Sequence, residues 1–166
     1  MPGVQALSKP INLGAVPAAV AMAACLSRVK WDVPSSICLG QWALESGWGK
    51  HMPTGSNNPF GIKAAAGQPY VVAMTREVLH GADVRLPQHF RKFASIDEAF
   101  DAHAKLLATG RPYERARSVR HDARAFARAL QGHYATDPHY ADELIAVMDS
   151  HDLYQFDRAA ADTPIA

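Results

Sequence analysis

Residues 37–50 read Ile-Cys-Leu-Gly-Gln-Trp-Ala-Leu-Glu-Ser-Gly-Trp-Gly-Lys, with one carboxylate at the end of an otherwise apolar stretch. Pro34, Ser35 and Ser36 supply a helix start, and Gly47 and Gly49 supply its stop. The spacing predicts a helix over 35–46 with Glu45 in its last turn, where the negative end of the helix dipole opposes a carboxylate. Cys38, Gln41 and Trp42 lie three to seven residues upstream and share its face, and Trp48 follows just past the helix. A desolvating aromatic neighbour and an unfavourable dipole both raise a carboxyl pKa, as a general acid working near neutral pH requires. Read alone, Glu45 is equally a surface glutamate at a fraying helix end.

Upstream, Ala15 to Leu26 is an apolar run interrupted by Pro17. It is too short to span a bilayer. Met22-Ala23-Ala24-Cys25 has a faint likeness to a lipoprotein cleavage box, but an alanine-rich first helix from about 17 to 29 is the better reading. No conventional export signal is expected. Downstream, residues 47–69 are dense in Gly, Pro and Asn and predict a long loop of the kind that carries function. Tyr70 to Leu79 is strand-like, a polar turn with Gly81 and Asp83 follows, and Leu86 to Phe93 returns as the second arm of a hairpin. Ser95 and Glu98 form a capping box for a helix to about 108, and further helices are expected near 113–119, 122–131 and 137–149. Residues 1–15 read as a flexible lead-in, 16–154 as one domain and 155–166 as a tail. The class is mainly α (α+β), with one small β element.

At 166 residues, 48% of them apolar and 20% charged, the chain can bury one real core. A net charge of +1 gives no bulk argument for nucleic acid or membrane insertion. Eight scattered histidines without an HExxH or Cys/His cluster argue against a metal site, and no cofactor is expected. Cys25 and Cys38 fall on consecutive helices and fit a disulfide or two buried thiols equally well.

Four motifs fall in order: Ala43-Leu44-Glu45-Ser46-Gly47-Trp48-Gly49; Asn58-Pro59-Phe60-Gly61-Ile62-Lys63; Thr75-Arg76-Glu77 with Gly81, Phe90-Arg91-Lys92-Phe93 and Ser95; and Tyr134-Ala135-Thr136-Asp137-Pro138-His139-Tyr140-Ala141. Together they closely resemble the glucosaminidase family of peptidoglycan hydrolases (glycoside hydrolase family 73), over roughly residues 17–150. The resemblance implies a lysozyme-like fold, with two helical lobes around a groove and a β-hairpin at one edge. It implies hydrolysis of the β-1,4 bond after N-acetylglucosamine, with Glu45 protonating the leaving oxygen. Glu77 matches the hairpin acid of the family, a base or oxocarbenium stabiliser, with Asp83 as a weaker substitute. Paired carboxyls lie about 5–5.5 Å apart for retention or about 6.5–9.5 Å for inversion, and assistance by the substrate's N-acetyl group stays open. A solvated strand residue is the other reading of Glu77.

Tyr134 matches a tyrosine placed near the cleaved bond, and the competing reading is a packed aromatic. Trp48, Asn58, Phe60 and Tyr140 are candidate substrate-binding residues. Phe60 is equally a core plug, Tyr140 with Asp137 and Pro138 equally a helix start, and Trp31 and Trp42 are assigned to packing. Two departures stand out: Pro59 where the family commonly has leucine, and Gln41-Trp42 in place of Gln-Ala.

The partner expected is the peptidoglycan glycan strand, met by a monomer. Delivery to the periplasm or cell wall without a classical signal would suit an antibacterial effector or phage lysin, and an effector implies an immunity protein over the groove. The alternatives are a muramidase or lytic transglycosylase of the same fold, and a non-catalytic wall-binding module.

Overall fold

The computed structural model describes residues 10–158. Seven helices and one hairpin follow one another: α1 (Ala18–Trp31), α2 (Ser35–Ser46), β1 (Tyr70–Leu79), β2 (Ala82–Arg91), α3 (Ile96–Thr109), a 3₁₀ turn (Arg111–Tyr113), α4 (Glu114–Ser118), α5 (Ala123–Leu130), α6 (Tyr140–Ser150) and α7 (Gln155–Arg158). The expected mainly helical class with a single hairpin is what the chain forms.

The helix predicted over 35–46 is the central one. Every residue from Ser35 to Ala43 is buried, so α2 is covered on all sides rather than along a stripe. Gly40 lets α6 approach closely: a Cβ there would come within 2.6 Å of Leu144 Cδ1. The N-terminus of α2 has no capping side chain of its own, because Pro34 occupies that position. Asp157 of α7 supplies the cap instead, accepting from the Ser36 backbone N–H at 2.8 Å and from Ser36 Oγ at 2.5 Å.

Residues on either side of the expected domain, 16–154, also make contacts. Ile11 and Phe156 are buried, and Asn12 and Gln155 exchange hydrogen bonds at 2.8 and 2.9 Å, which ties the two ends together. Residues 1–9 and 159–166, the remainder of the expected lead-in and tail, lie outside the described residues. Cys25 and Cys38 are free thiols, and burial pushes both pKa values up, that of Cys38 furthest.

The hairpin turn is tighter than the sequence suggests. His80 and Gly81 both have positive φ (50° and 78°), giving a two-residue turn that matches strand twist. β2 thus starts at Ala82, and Asp83 pairs with Val78 in the ladder. The long loop is fastened to the hairpin base, with Arg91 donating to the Ile62 carbonyl at 2.8 Å and Ala64 to the His89 carbonyl at 2.9 Å. Ser95 caps α3 by accepting from Glu98 N–H, while the Glu98 carboxylate reaches back to Ala94 N–H.

Candidate active site

The left-handed residues Gly47, Trp48 and Gly49 (φ 55°, 61° and 80°) end α2 abruptly, one turn after Gln41 and just beyond Glu45. Glu45 is half-buried, enclosed by protein on most sides and open on one. Burial pushes its carboxyl up to about 8, and a hydrogen bond from the Tyr134 hydroxyl partly offsets that rise. At neutral pH the group is predominantly the protonated acid.

Three phenols surround it. Tyr134 is hydrogen-bonded to Glu45, while Tyr113 and Tyr140 lie near enough for its charge to raise their own pKa values further, beyond the effect of their burial. Tyr134 stacks on Tyr140 at 5.6 Å and meets Tyr113 at 6.2 Å. The loop carrying Tyr134 is clamped by Gln131, whose amide donates to the Asp137 carbonyl at 2.5 Å and accepts from Ala141 N–H at 2.9 Å. Tyr113 is seated by Gly110, where a Cβ would lie 2.7 Å from the Leu106 carbonyl oxygen and 2.8 Å from the Tyr113 ring.

Behind the phenols runs a buried polar chain. Gln41 Nε2 donates to Tyr140 Oη at 2.9 Å, which leaves Gln41 Oε1 to accept from His103 Nε2–H at 2.7 Å. That contact assigns the neutral Nε2–H tautomer to His103. Complete burial pushes its pKa down to about 3, so the ring stays uncharged, and Nδ1 is left as an unpartnered lone pair. Phe60 stacks flat on the imidazole at 3.9 Å and meets Phe100 edge-on at 4.9 Å.

Several expected site residues have other surroundings. Asn58 is 1% exposed, and its amide is fully engaged within the loop. It donates to the Ile62 and Arg91 carbonyls at 2.8 and 3.0 Å and accepts from the N–H groups of Phe60 and Ile62. It is a loop fastener with no amide group left for a sugar. Phe60 is likewise interior, as the plug beneath the loop. Trp48 packs its ring against Trp42 at 5.6 Å and His151 at 4.4 Å. Tyr140 opens α6 and is buried, reaching the site through its hydroxyl.

Glu77 stands half-buried on β1, accepting from Thr75 Oγ1 at 3.0 Å. The influences on Glu45 are burial and the Tyr134 hydrogen bond. Asp83 is engaged on the outside of the hairpin by Arg76. Sequence reading missed Tyr113 and His103. His103 was detectable in principle, because it occupies a core-face position between Phe100 and Leu107, where a polar group implies a buried partner. Among the described residues no cluster of three or more His, Cys, Asp or Glu could hold a metal ion.

A helical domain with one hairpin is the lysozyme-like fold of its structural neighbours, and a protonated, phenol-ringed carboxylic acid at a helix end suits glycosidase chemistry. The glucosaminidase family model, described as mannosyl-glycoprotein endo-beta-N-acetylglucosaminidase, matches residues 21–153. The chain belongs to this family. It is 34% identical over 134 residues to the exo-glucosaminidase LytG of Bacillus subtilis, covering 77% of this chain and 48% of that protein. The catalytic domain of the autolysin Auto from Listeria monocytogenes superposes with a TM-score of 0.78 at 26% identity, covering 92% of each chain. A C-terminally truncated glycoside hydrolase domain of FlgJ from Salmonella typhimurium gives 0.67 at 32% identity, covering 81% of this chain and 94% of that one. The chain spans about half the length, or less, of the curated relatives it matches.

Proposed function

We infer that this domain hydrolyses peptidoglycan as an endo-β-N-acetylglucosaminidase, cutting the β-1,4 bond between N-acetylglucosamine and N-acetylmuramic acid. The observation that carries this reading is the protonated Glu45 held by Tyr134 at the end of α2. Family membership and the peptidoglycan hydrolases among its relatives supply the substrate class. Glu45 gives its proton to the glycosidic oxygen as the bond to C1 breaks. The positive charge that develops on the sugar ring then needs an electron donor on the opposite face.

Tyr134 orients Glu45 and, once the carboxylate forms, stabilises it by the same hydrogen bond. Glu77 serves as the charge stabiliser, brought up by movement of the hairpin. Assistance by the N-acetyl oxygen of the substrate needs no such movement. The engagement of Glu77 by Thr75 on its own strand favours a second reading, a lytic transglycosylase, which forms an anhydro product without a second carboxylate. Trp48 is retained as a rim residue, while Asn58 and Phe60 act only by shaping the loop.

For the cellular role, the reading is a monomeric antibacterial effector or phage lysin that acts on the wall. An effector would be met by an immunity protein that plugs the opening at Glu45. Among the described residues no helix is long and apolar enough to cross a membrane. Co-purification of the neighbouring gene product, with inhibition, tests the partner; a producer that tolerates periplasmic targeting of this chain alone counts against it.

The chemistry is tested by mass spectrometry of reduced muropeptides after digestion of purified peptidoglycan, with Glu45→Gln in parallel. Fragments reduced at N-acetylglucosamine, absent with the variant, support the glucosaminidase. Reduced N-acetylmuramic acid indicates a muramidase, its anhydro form a transglycosylase, and no fragments at all a non-catalytic module.

A further inference from the structure

On the surface, residues of α4, α5 and the segments after them line an open pocket of about 320 Å³ that the chemistry at Glu45 does not use. Arg115, Arg128 and His133 line it, and its lining holds no carboxylate. Its apolar wall is made of Val119, Ala125 and Ala129, all half-buried. Arg115 lies two residues beyond Tyr113, and His133 directly precedes Tyr134, so the cavity shares its backbone with two of the three phenols around Glu45.

The two guanidinium groups share one pocket, which sets them apart from the other basic residues without an ion pair, such as Arg85 and Arg111. Six other basic residues of the described chain are held in ion pairs: Lys30, Arg76, Arg91, Arg120, Arg124 and Arg158. Arg117, also on α4, is turned inward onto the carbonyls of Leu107 and Gly110. Arg115 and Arg128 have neither kind of partner among the described residues, yet both face one concave, partly apolar space. Both side chains are exposed, so water screens their repulsion, and the pocket offers an arriving anion two guanidinium donors with no carboxylate in its lining.

We propose that this cavity is a subsite for a carboxylate-bearing peptide branch of the substrate, with Arg115 and Arg128 as its anion clamp. The proposal rests on the peptidoglycan reading above and adds to it a determinant of specificity. A planar carboxylate can accept from a guanidinium in bidentate fashion. The half-buried wall of one valine and two alanines suits a short aliphatic side chain next to that carboxylate. A bare phosphate satisfies the charge but leaves that wall unused. Neither arginine touches the reacting bond, so both act on binding and choice of substrate.

The test separates binding from turnover. Glu45→Gln is titrated by calorimetry with a purified disaccharide–tripeptide muropeptide, with the same muropeptide after amidation of its carboxyl groups, and with inorganic phosphate. The measurements are then repeated in Glu45→Gln carrying Arg115→Gln and Arg128→Gln. The free-carboxyl muropeptide should bind best and lose roughly tenfold in affinity in the triple variant, as two partly exposed charge-assisted contacts would give. Amidation should cause the same loss without the arginine changes. Equal affinity of all variants for the muropeptide, or phosphate binding with indifference to amidation, overturns the proposal.

With Glu45 restored, the double arginine variant should fall about tenfold in kcat/KM, chiefly through KM, on stem-bearing peptidoglycan. It should match the wild type on glycan strands stripped of peptides by an amidase. An equal loss on both substrates refutes the subsite. If the wild type cleaves neither substrate but the binding pattern holds, the catalytic reading fails and the subsite stands.

Discussion

Replacing Glu45 by Gln removes an ionisable group whose folded-state pKa is raised from 4.5 to about 8, chiefly by burial. The folded protein keeps a proton that the unfolded chain releases above pH 4.5. Stability is therefore lost as pH rises from 4.5 through 8, at up to about 1.4 kcal/mol per pH unit. Taken at face value, about 3 kcal/mol is gone at pH 7 and nearly 5 kcal/mol above pH 8. Glu45 is open on one side, so water relaxes part of this, and a difference on the order of 2 kcal/mol at pH 8.5 is the one to expect. Gln keeps the side-chain shape and can still accept from Tyr134, so the hydrogen bond is largely preserved. Urea denaturation of the two proteins at pH 4.5, 6.5 and 8.5 reads the effect. The variant should match the wild type at pH 4.5 and become progressively more stable than it toward pH 8.5. The titration of His103 acts in both proteins and cancels in the difference. A gap that is constant with pH, or one that shrinks as pH rises, would refute the assignment of Glu45 as a neutral acid.

The same protonation requirement predicts that hydrolysis falls on an alkaline limb near pH 8, and Tyr134→Phe should move that limb upward, because it removes the bond that lowers the Glu45 pKa; rates on peptidoglycan between pH 5 and 9.5 check both. His103 is neutral when folded and charged when unfolded below pH 6.5, so its burial lowers stability as pH falls from 6.5 through 3. His103→Leu leaves Gln41 Oε1 unpaired and should cost about 1–3 kcal/mol at pH 7, with a smaller penalty in urea melts at pH 4; an unchanged penalty would reject the neutral tautomer. Asp157→Ala should destabilise the fold by about 1–2 kcal/mol through loss of the α2 cap, seen as a lower Tm, and Asp157→Asn should recover part of it.

Much of this architecture is legible from local signals. The helix over 35–46 shows itself through Pro34 before it and Gly47 after it, and β1 through ten residues bounded by turn formers. What escapes is non-local or three-dimensional. Nothing near Asp157 reveals that its carboxylate reaches Ser36, and a four-residue helix has no periodicity to read. Asn58 sits among glycines and prolines, which usually mark surface, yet its loop is folded inward and its amide replaces missing backbone partners. Trp48 follows Glu45 closely in sequence, but its positive φ turns the backbone and its ring packs on Trp42 and His151. Glu45 stands out because an apolar helix carries one carboxylate, and Tyr134 through the motif around it; Tyr113 does not, since it arrives from a segment that no motif marks.

The reach of Asp157 to Ser36 also sets an order of events during synthesis. The bond that completes the start of α2 spans 121 residues, so the last turn of the described chain must leave the ribosome before the acid-bearing helix is finished. A nascent chain, or one clipped after residue 154, holds every residue of the Glu45 centre and still lacks the cap that secures its helix. Assembly of the Glu45 helix thus waits on the far end of the domain, whatever else the polypeptide carries.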